Sequence, residues 1–218
     1  MDQAQTWEEF REACSFSHIP GENMIWADKN GNIGWQVVGI APIRKNFSGM
    51  VPVPGDGRFE WDGFLPIKEK PNDANPSKGF IATANQNVTP ESYAHWDAVS
   101  FEWADPFRGD RITAELSAAK KFTMAEMQAL QTDNYTLPAA SLVPLLSGLK
   151  FTDSNVTEAQ QKLKDWNFVL DKNSIPASIY AEWENTLMEE ARKQFIPESI
   201  KGYVYIQLTK VLMWIENP

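Results

Sequence analysis

The feature that most constrains this chain is a change of texture at Arg111. Between residues 42 and 79, "PVPGDGRFEWDGFLP" and "KPNDANPSKG" place prolines and glycines so often that no long periodicity survives. From Arg111 onward the apolar residues recur at helical spacing through "DRITAELSAAKKF", "TMAEMQALQTD", "LPAASLVPLLSGL", "TEAQQKLKDWNFVL", "PASIYAEWENTLMEEARKQF" and "GYVYIQLTKVLMWIE". A chain built this way predicts an α+β fold, with strands and covering loops in a first domain, 1–115, and a helical subdomain over 116–218.

Within the first part, "TWEEFREACSFS" spaces Trp7, Phe10 and Cys14 on one helical face, which predicts a helix over 6–16. Thr6 and Glu9 are the expected capping box. "NMIWADKNGNIGWQVVGIAPIR" joins two apolar runs through Asn30-Gly31, so a hairpin with strands near 23–28 and 32–40 and a type I′ turn is expected. Asp28, Asn30 and Asn32 resemble the start of a calcium loop, but the glutamate such a loop needs is missing, and the turn reading prevails. "GFIATAN" reads as a short buried strand ending at Asn85.

Composition excludes several classes of function. A net charge of -9 and a pI near 4.8 oppose a phosphate-backbone partner, so no nucleic acid is expected. No apolar run approaches the ~20 residues that span a bilayer, and "MDQAQTWEEFREACSF" has no basic-then-apolar leader pattern. Cys14 stands alone, and His18 and His95 are too few for a zinc motif and lie in no Gly-x-Ser-x-Gly context. Cys14 falls on the apolar side of its helix, as a structural thiol would. Glu102 and Asp105 form a possible acid pair beside Trp103, or a loop rim.

Three residues carry more chemistry. Asn85, at a strand end, could aim its amide at a developing oxyanion, or could cap a turn. Asp97 could cap a helix or bind a cation, and Arg111 could pair with Asp110 or Glu115. Residue types alone leave these alternatives open.

The order of four segments bears on the choice. "WADKNGNIGWQVVGIAPIR", "GMVPVPGDGRFEWDGFLP", "NPSKGFIATANQ" and "GDRIT" together resemble the large subunit of the penicillin amidase family, closely over residues 6 to 115 and as helices beyond. The resemblance implies part of an N-terminal-nucleophile hydrolase αββα sheet and hydrolysis of an amide through an acyl-enzyme on an N-terminal serine. The substrate class it implies is a β-lactam side-chain amide or an acyl-homoserine lactone. It assigns the oxyanion donor to Asn85, electrostatic support to Arg111, and a structural calcium to Asp97 and the backbone carbonyl of Gly49. The implied partners are the remainder of the large subunit and the small subunit, and the implied location is periplasmic or secreted.

The family nucleophile opens the large subunit, whereas this chain opens with Met1, so the expectation is a fragment that does not turn over by itself. A different class, a non-catalytic module stacking glycans or aromatic ligands on exposed tryptophans, would also account for nine tryptophans and twelve phenylalanines.

Overall fold

The computed structural model describes residues 1–118 and 121–217. The chain is α+β and divides into two compact units, Met1–Ala104 and the residues from Asp105 onward. Residue 115 lies inside a helix of the second unit, Phe107–Ala118, which begins four residues before Arg111.

In the first unit, helix α1 spans Trp7–Cys14. The Thr6 hydroxyl accepts from Glu9 N at 3.2 Å, but the Glu9 carboxylate takes the N–H of Gln5 at 2.8 Å rather than that of Thr6, so the box closes one residue early. Strands β1, Asn23–Ala27, and β2, Ile33–Val37, form the expected hairpin. Its turn is not type I′. Gly31 takes φ +88° while Asn30 does not enter the positive-φ region, and Gly31 N–H donates to the Asp28 carbonyl at 3.2 Å. That is a type I turn followed by a left-handed glycine, the three-residue hairpin alternative. Asp28 stabilises it from inside: one carboxylate oxygen accepts the N–H groups of Asn30 and Asn32, and the other accepts the Asn32 amide. With both oxygens committed to its own turn, Asp28 has the environment of a turn residue. The hydrogen bond from the Asn32 side chain is the main reason its carboxyl lies below the usual range.

The strand expected over 32–40 stops at Val37, because Gly39 at φ +90° turns the chain. Lys70 is buried at that corner and donates Nζ–H to the carbonyls of Val38, at 2.8 Å, and Gly39, at 2.9 Å. Burial pushes its pKa down, and the two carbonyls supply the polar contacts that a buried ammonium needs.

The stretch expected to be loops also contains strands. Antiparallel β3, Ala41–Arg44, and β4, Trp61–Leu65, pair with a bulge between Pro42 and Arg44. Strand β5, Asn72–Ala74, adds to β2, giving the order β1-β2-β5. Conversely, "GFIATAN" joins no ladder. A short helix α2, Trp96–Val99, packs against β3.

Helix α1 covers one face of the β1-β2-β5 sheet, with Phe10, Cys14, Val38 and Ile67 as core and Trp7 lying on Gly34. A Cβ at residue 34 would stand 2.4 Å from Trp7 Cζ3. Gly34→Ala should therefore force the indole out of place and destabilise by about 1–3 kcal/mol, read as a lower urea midpoint. A midpoint equal to that of the parent would mean that Trp7 is not seated there.

The second unit comprises α3, Phe107–Ala118; α4, Met124–Gln131; α5, Leu137–Leu142; α6, Ser154–Lys164; α7, Ile175–Phe195; and α8, Leu208–Glu216. The Thr123/Glu126 capping box opens α4 in full. "LPAASLVPLLSGL" tightens into a 3-10 turn from Val143, with Pro144 early in it. The run "GYVYIQLTK…" is helical only from Leu208. Tyr203 ends a turn and residues 204–207 form no regular element, and Asp105 fixes the start of α8 by accepting from Leu208 N, Thr209 N and Thr209 Oγ1. The core joins Leu142, Leu163, Trp166, Tyr180, Ile196 and Val211.

Candidate active site

Asn85 sits in the first unit just after the unpaired run 80–84, exposed and at φ +66°. Asparagine tolerates the left-handed region better than most residues, because its short amide can bond locally. Two contacts hold this corner. The Asn85 carbonyl accepts from Ala104 N at 3.0 Å. Just before it, Gln86 folds back: its Oε1 accepts from Ala84 N at 2.6 Å and its Nε2 donates to the Ala82 carbonyl at 3.3 Å. The corner therefore presents a neutral amide on a backbone anchored from both sides.

Asp97 and Gly49 line one small cleft of about 230 Å³ with Arg44, Ser48, Ser100 and Glu102. Between them stands the guanidinium of Arg44. Its Nη1 donates to the Asp97 carbonyl at 3.2 Å, and a Cβ on Gly49, which has φ +80°, would lie 2.6 Å from Arg44 Nε. Calcium requires six to eight oxygens and no competing cation. Among the described residues no group of three or more His, Cys, Asp or Glu side chains converges. The residues present therefore do not fit a calcium ion by themselves: Arg44 would have to move and further oxygens would have to come from elsewhere.

Arg111 lies in the second unit. Its Nε and Nη2 donate to Asp133 Oδ2 at 3.0 and 2.6 Å, and its Nη1 pairs with Glu115 at 2.5 Å. Its guanidinium carbon is 4.5 Å from the centre of the Tyr135 ring. The Glu115 pair was legible from i,i+4 spacing. Asp133 and Tyr135 were not, since no local pattern links residues 22 and 24 positions away. These groups line a cleft of about 1270 Å³, together with Tyr180, whose hydroxyl is raised well above its ordinary pKa, first by burial and then by the Glu184 carboxylate to which it donates.

Burial alone would push the Asp133 carboxyl up. The Arg111 hydrogen bond, the Tyr135 N–H and the guanidinium charge outweigh it and hold the group below the usual carboxylate range. A depressed pKa stabilises the fold above the unfolded value, about 3.9, and that contribution disappears as pH falls through the folded value. Asp133→Asn should thus be less stable than the parent at pH 7, with the gap closing as pH falls below about 3.9, the unfolded value. Urea midpoints across that range test it, and a gap that persists unchanged in acid would contradict the pairing.

Other candidates resolve structurally. Cys14 is fully buried, and burial raises its thiol pKa, which favours the inert protonated form. Asp105 is the cap of α8 described above rather than half of an acid pair. His95 makes an edge contact with Tyr93 at 5.8 Å.

Comparison with known proteins gives these residues a context. The sequence model of the family "Penicillin amidase" matches residues 1–217. An acyl-homoserine lactone acylase of Pseudomonas fluorescens Pf0-1 is 32% identical over 213 residues, 91% of this chain and 25% of its own length. Penicillin G acylase of Escherichia coli is 30% identical over 161 residues, 69% of this chain and 18% of its own. Among solved structures, a thermostable penicillin G acylase from Alcaligenes faecalis superposes with a TM-score of 0.69 at 23% identity, over 92% of this chain and 38% of that one. That likeness shows a shared fold. The chain spans about a quarter of the length of the curated acyl-homoserine lactone acylases it matches.

Proposed function

Because the chain belongs to the penicillin amidase family, we propose that it is the part of an acylase large subunit that carries the oxyanion donor of a linear-amide hydrolase. An N-terminal serine of the mature large subunit attacks the substrate carbonyl, and its own α-amine takes the hydroxyl proton. As the carbonyl oxygen becomes an anion, the Asn85 side-chain amide donates a hydrogen bond to it. The amine product leaves, an acyl ester remains on the serine, and water hydrolyses it.

The observation that carries this reading is the corner at Asn85. A donor for an oxyanion must be neutral and must not reorganise when charge develops, and here the backbone is held on both sides of such an amide. Arg111 enters as support at one remove, fixing α3 to the residues ahead of α5 through Asp133 and Tyr135. Calcium is given no step in this reading.

The substrate class is an N-acylated amine. Relatives at 30 to 35% identity are named as acylases of acyl-homoserine lactones, and others as penicillin acylases. Export to the periplasm or medium belongs to the same proposal. No helix among the described residues is long and apolar enough to cross a membrane.

The implied partners also have physical support. Two separately folded units of half the chain's mass would together expose about 12,000 Å². This chain exposes 14964 Å². The surplus of ~3,000 Å², on this chain alone, exceeds the ~800 Å² that one partner contributes to a standard interface. Exposed Ile25, Ile40, Trp61 and Phe64 of the first unit are the kind of side chains such an interface covers. The surplus supports the remainder of the large subunit and the small subunit as its cover. A glycan-stacking module is less well served, because Trp61 is the one exposed tryptophan of nine.

Incubating the complete protein with an N-acyl-homoserine lactone and with penicillin G tests the reading. Release of free homoserine lactone or 6-aminopenicillanic acid is expected. Opening of the lactone or β-lactam ring with the acyl amide intact would overturn it.

A further inference from the structure

The run 80–84 lies in no ladder, so its backbone groups need other partners. In a strand, the C=O of residue 82 and the N–H of residue 84 would lie on the same edge. In a parallel sheet one residue of the neighbouring strand donates to the first and accepts from the second. The Gln86 side chain does both with a single primary amide: Nε2 to the Ala82 carbonyl at 3.3 Å, and Oε1 from Ala84 N at 2.6 Å. It replaces a strand by one amide, two residues downstream. The chain can reach back this way only because the residue between, Asn85, reverses at φ +66°. The Gln86 clasp and the Asn85 conformation are thus one geometric unit, closed on the other side by Ala104 N–H on the Asn85 carbonyl.

We infer that Gln86 is a positioning residue for the reaction: its amide clasp on Ala82 and Ala84 fixes the left-handed turn that aims the Asn85 amide at the oxyanion. This inference rests on the oxyanion reading of Asn85. It differs from a purely structural role in what it predicts. Loss of the clasp leaves the Asn85 amide present but misdirected, so the transition state is affected while the bound ground state is not.

The test uses the complete, processed acylase, assayed on a phenylacetyl amide and an N-acyl-homoserine lactone, with the parent beside Gln86→Ala, Gln86→Glu, Asn85→Ala and the Asn85→Ala/Gln86→Ala pair. Gln86→Ala should lower kcat by about tenfold to a hundredfold, the scale of a small misplacement of a catalytic group, with KM within about twofold. The double variant should be no slower than Asn85→Ala, since a misaimed amide that is absent costs nothing more. Gln86→Glu keeps the acceptor for Ala84 N–H but donates to Ala82 only when protonated, so its kcat relative to the parent should rise as pH falls. This variant also keeps the test alive if Gln86→Ala fails to fold. A parent-like kcat in Gln86→Ala, a double variant slower by the product of the two single effects, or a pH-flat Gln86→Glu would overturn the inference while Asn85→Ala still impaired catalysis. A parent-like Asn85→Ala would instead remove the oxyanion reading and this inference with it.

Discussion

Asn85→Ala in the complete acylase should lower kcat by about 10²–10³-fold, ~3–4 kcal/mol in the barrier, with little change in KM. The asymmetry follows from what the amide meets. A ground-state carbonyl gains little from one more donor, whereas the tetrahedral oxyanion is stabilised by a donor already in place. Two companion variants separate chemistry from backbone strain. Alanine at φ +66° is itself strained, by about 1 kcal/mol, so part of any loss of stability in Asn85→Ala belongs to the backbone. Asn85→Gly removes that strain and the amide together, and should be as inactive as Asn85→Ala while more stable. Asn85→Asp keeps the shape but offers a carboxylate with no proton to donate, and should be at least as slow. If Asn85→Gly kept the parental kcat, the side chain would have no part in the chemistry and the corner would be a turn and no more.

The largest stability effect should come from Trp166→Ala in the second unit. Trp166 is 7% exposed, its ring lies 5.4 Å from Tyr180 and 5.6 Å from Phe168, and its Nε1 donates to the Val169 carbonyl at 3.1 Å. Removing it empties the middle of the cluster that joins α5, α6 and α7, and takes one of two donors from the Val169 carbonyl, which also accepts from Asp171 N. A loss of about 3–5 kcal/mol is expected from transfer and cavity terms together. With a urea slope of ~1–3 kcal/mol/M, the midpoint should fall by at least about 1 M at unchanged slope. A shift of a few tenths molar would mean that the surrounding helices close the space, and that the cluster does not hold this unit in the way described.

How much of this was legible in the sequence depended on whether the determining interaction was local. The Thr123/Glu126 box was readable as written, and Glu115 was one of the two partners the spacing offered Arg111, because both interactions are set within four residues. The hairpin was placed correctly, but its turn type depended on whether Asn30 shared the left-handed conformation of Gly31. That was decided by the Asp28 carboxylate accepting two N–H groups and an amide inside the loop. Strand β5 formed where loops were expected and "GFIATAN" formed no ladder, because pairing with a strand about 35 residues earlier leaves no local signal in either segment. The late start of α8 has the same origin, since its cap, Asp105, lies 103 residues earlier.

The site divides in the same way. The four ordered segments pointed to Asn85 through the resemblance, and Asp97 and Gly49 share a cleft. Sequence could not reveal the guanidinium between them. Arg44 reaches that cleft from β3 across 53 residues, and its charge is what makes the pair unsuited to hold a cation alone. Gln86 had no signal either. A glutamine after an asparagine is unremarkable until its side chain is seen to bond where a neighbouring strand would.

The central claim is that this segment works beside an N-terminal nucleophile. It is tested most directly by N-terminal sequencing and intact mass of the chain carrying Asn85 in the purified, complete protein. The account predicts a processed chain that begins with serine upstream of Trp7 and gains the mass of one acyl group on that residue when quenched during turnover. A mature chain beginning with a residue that has neither hydroxyl nor thiol, or an acyl group found on an internal side chain, would contradict it.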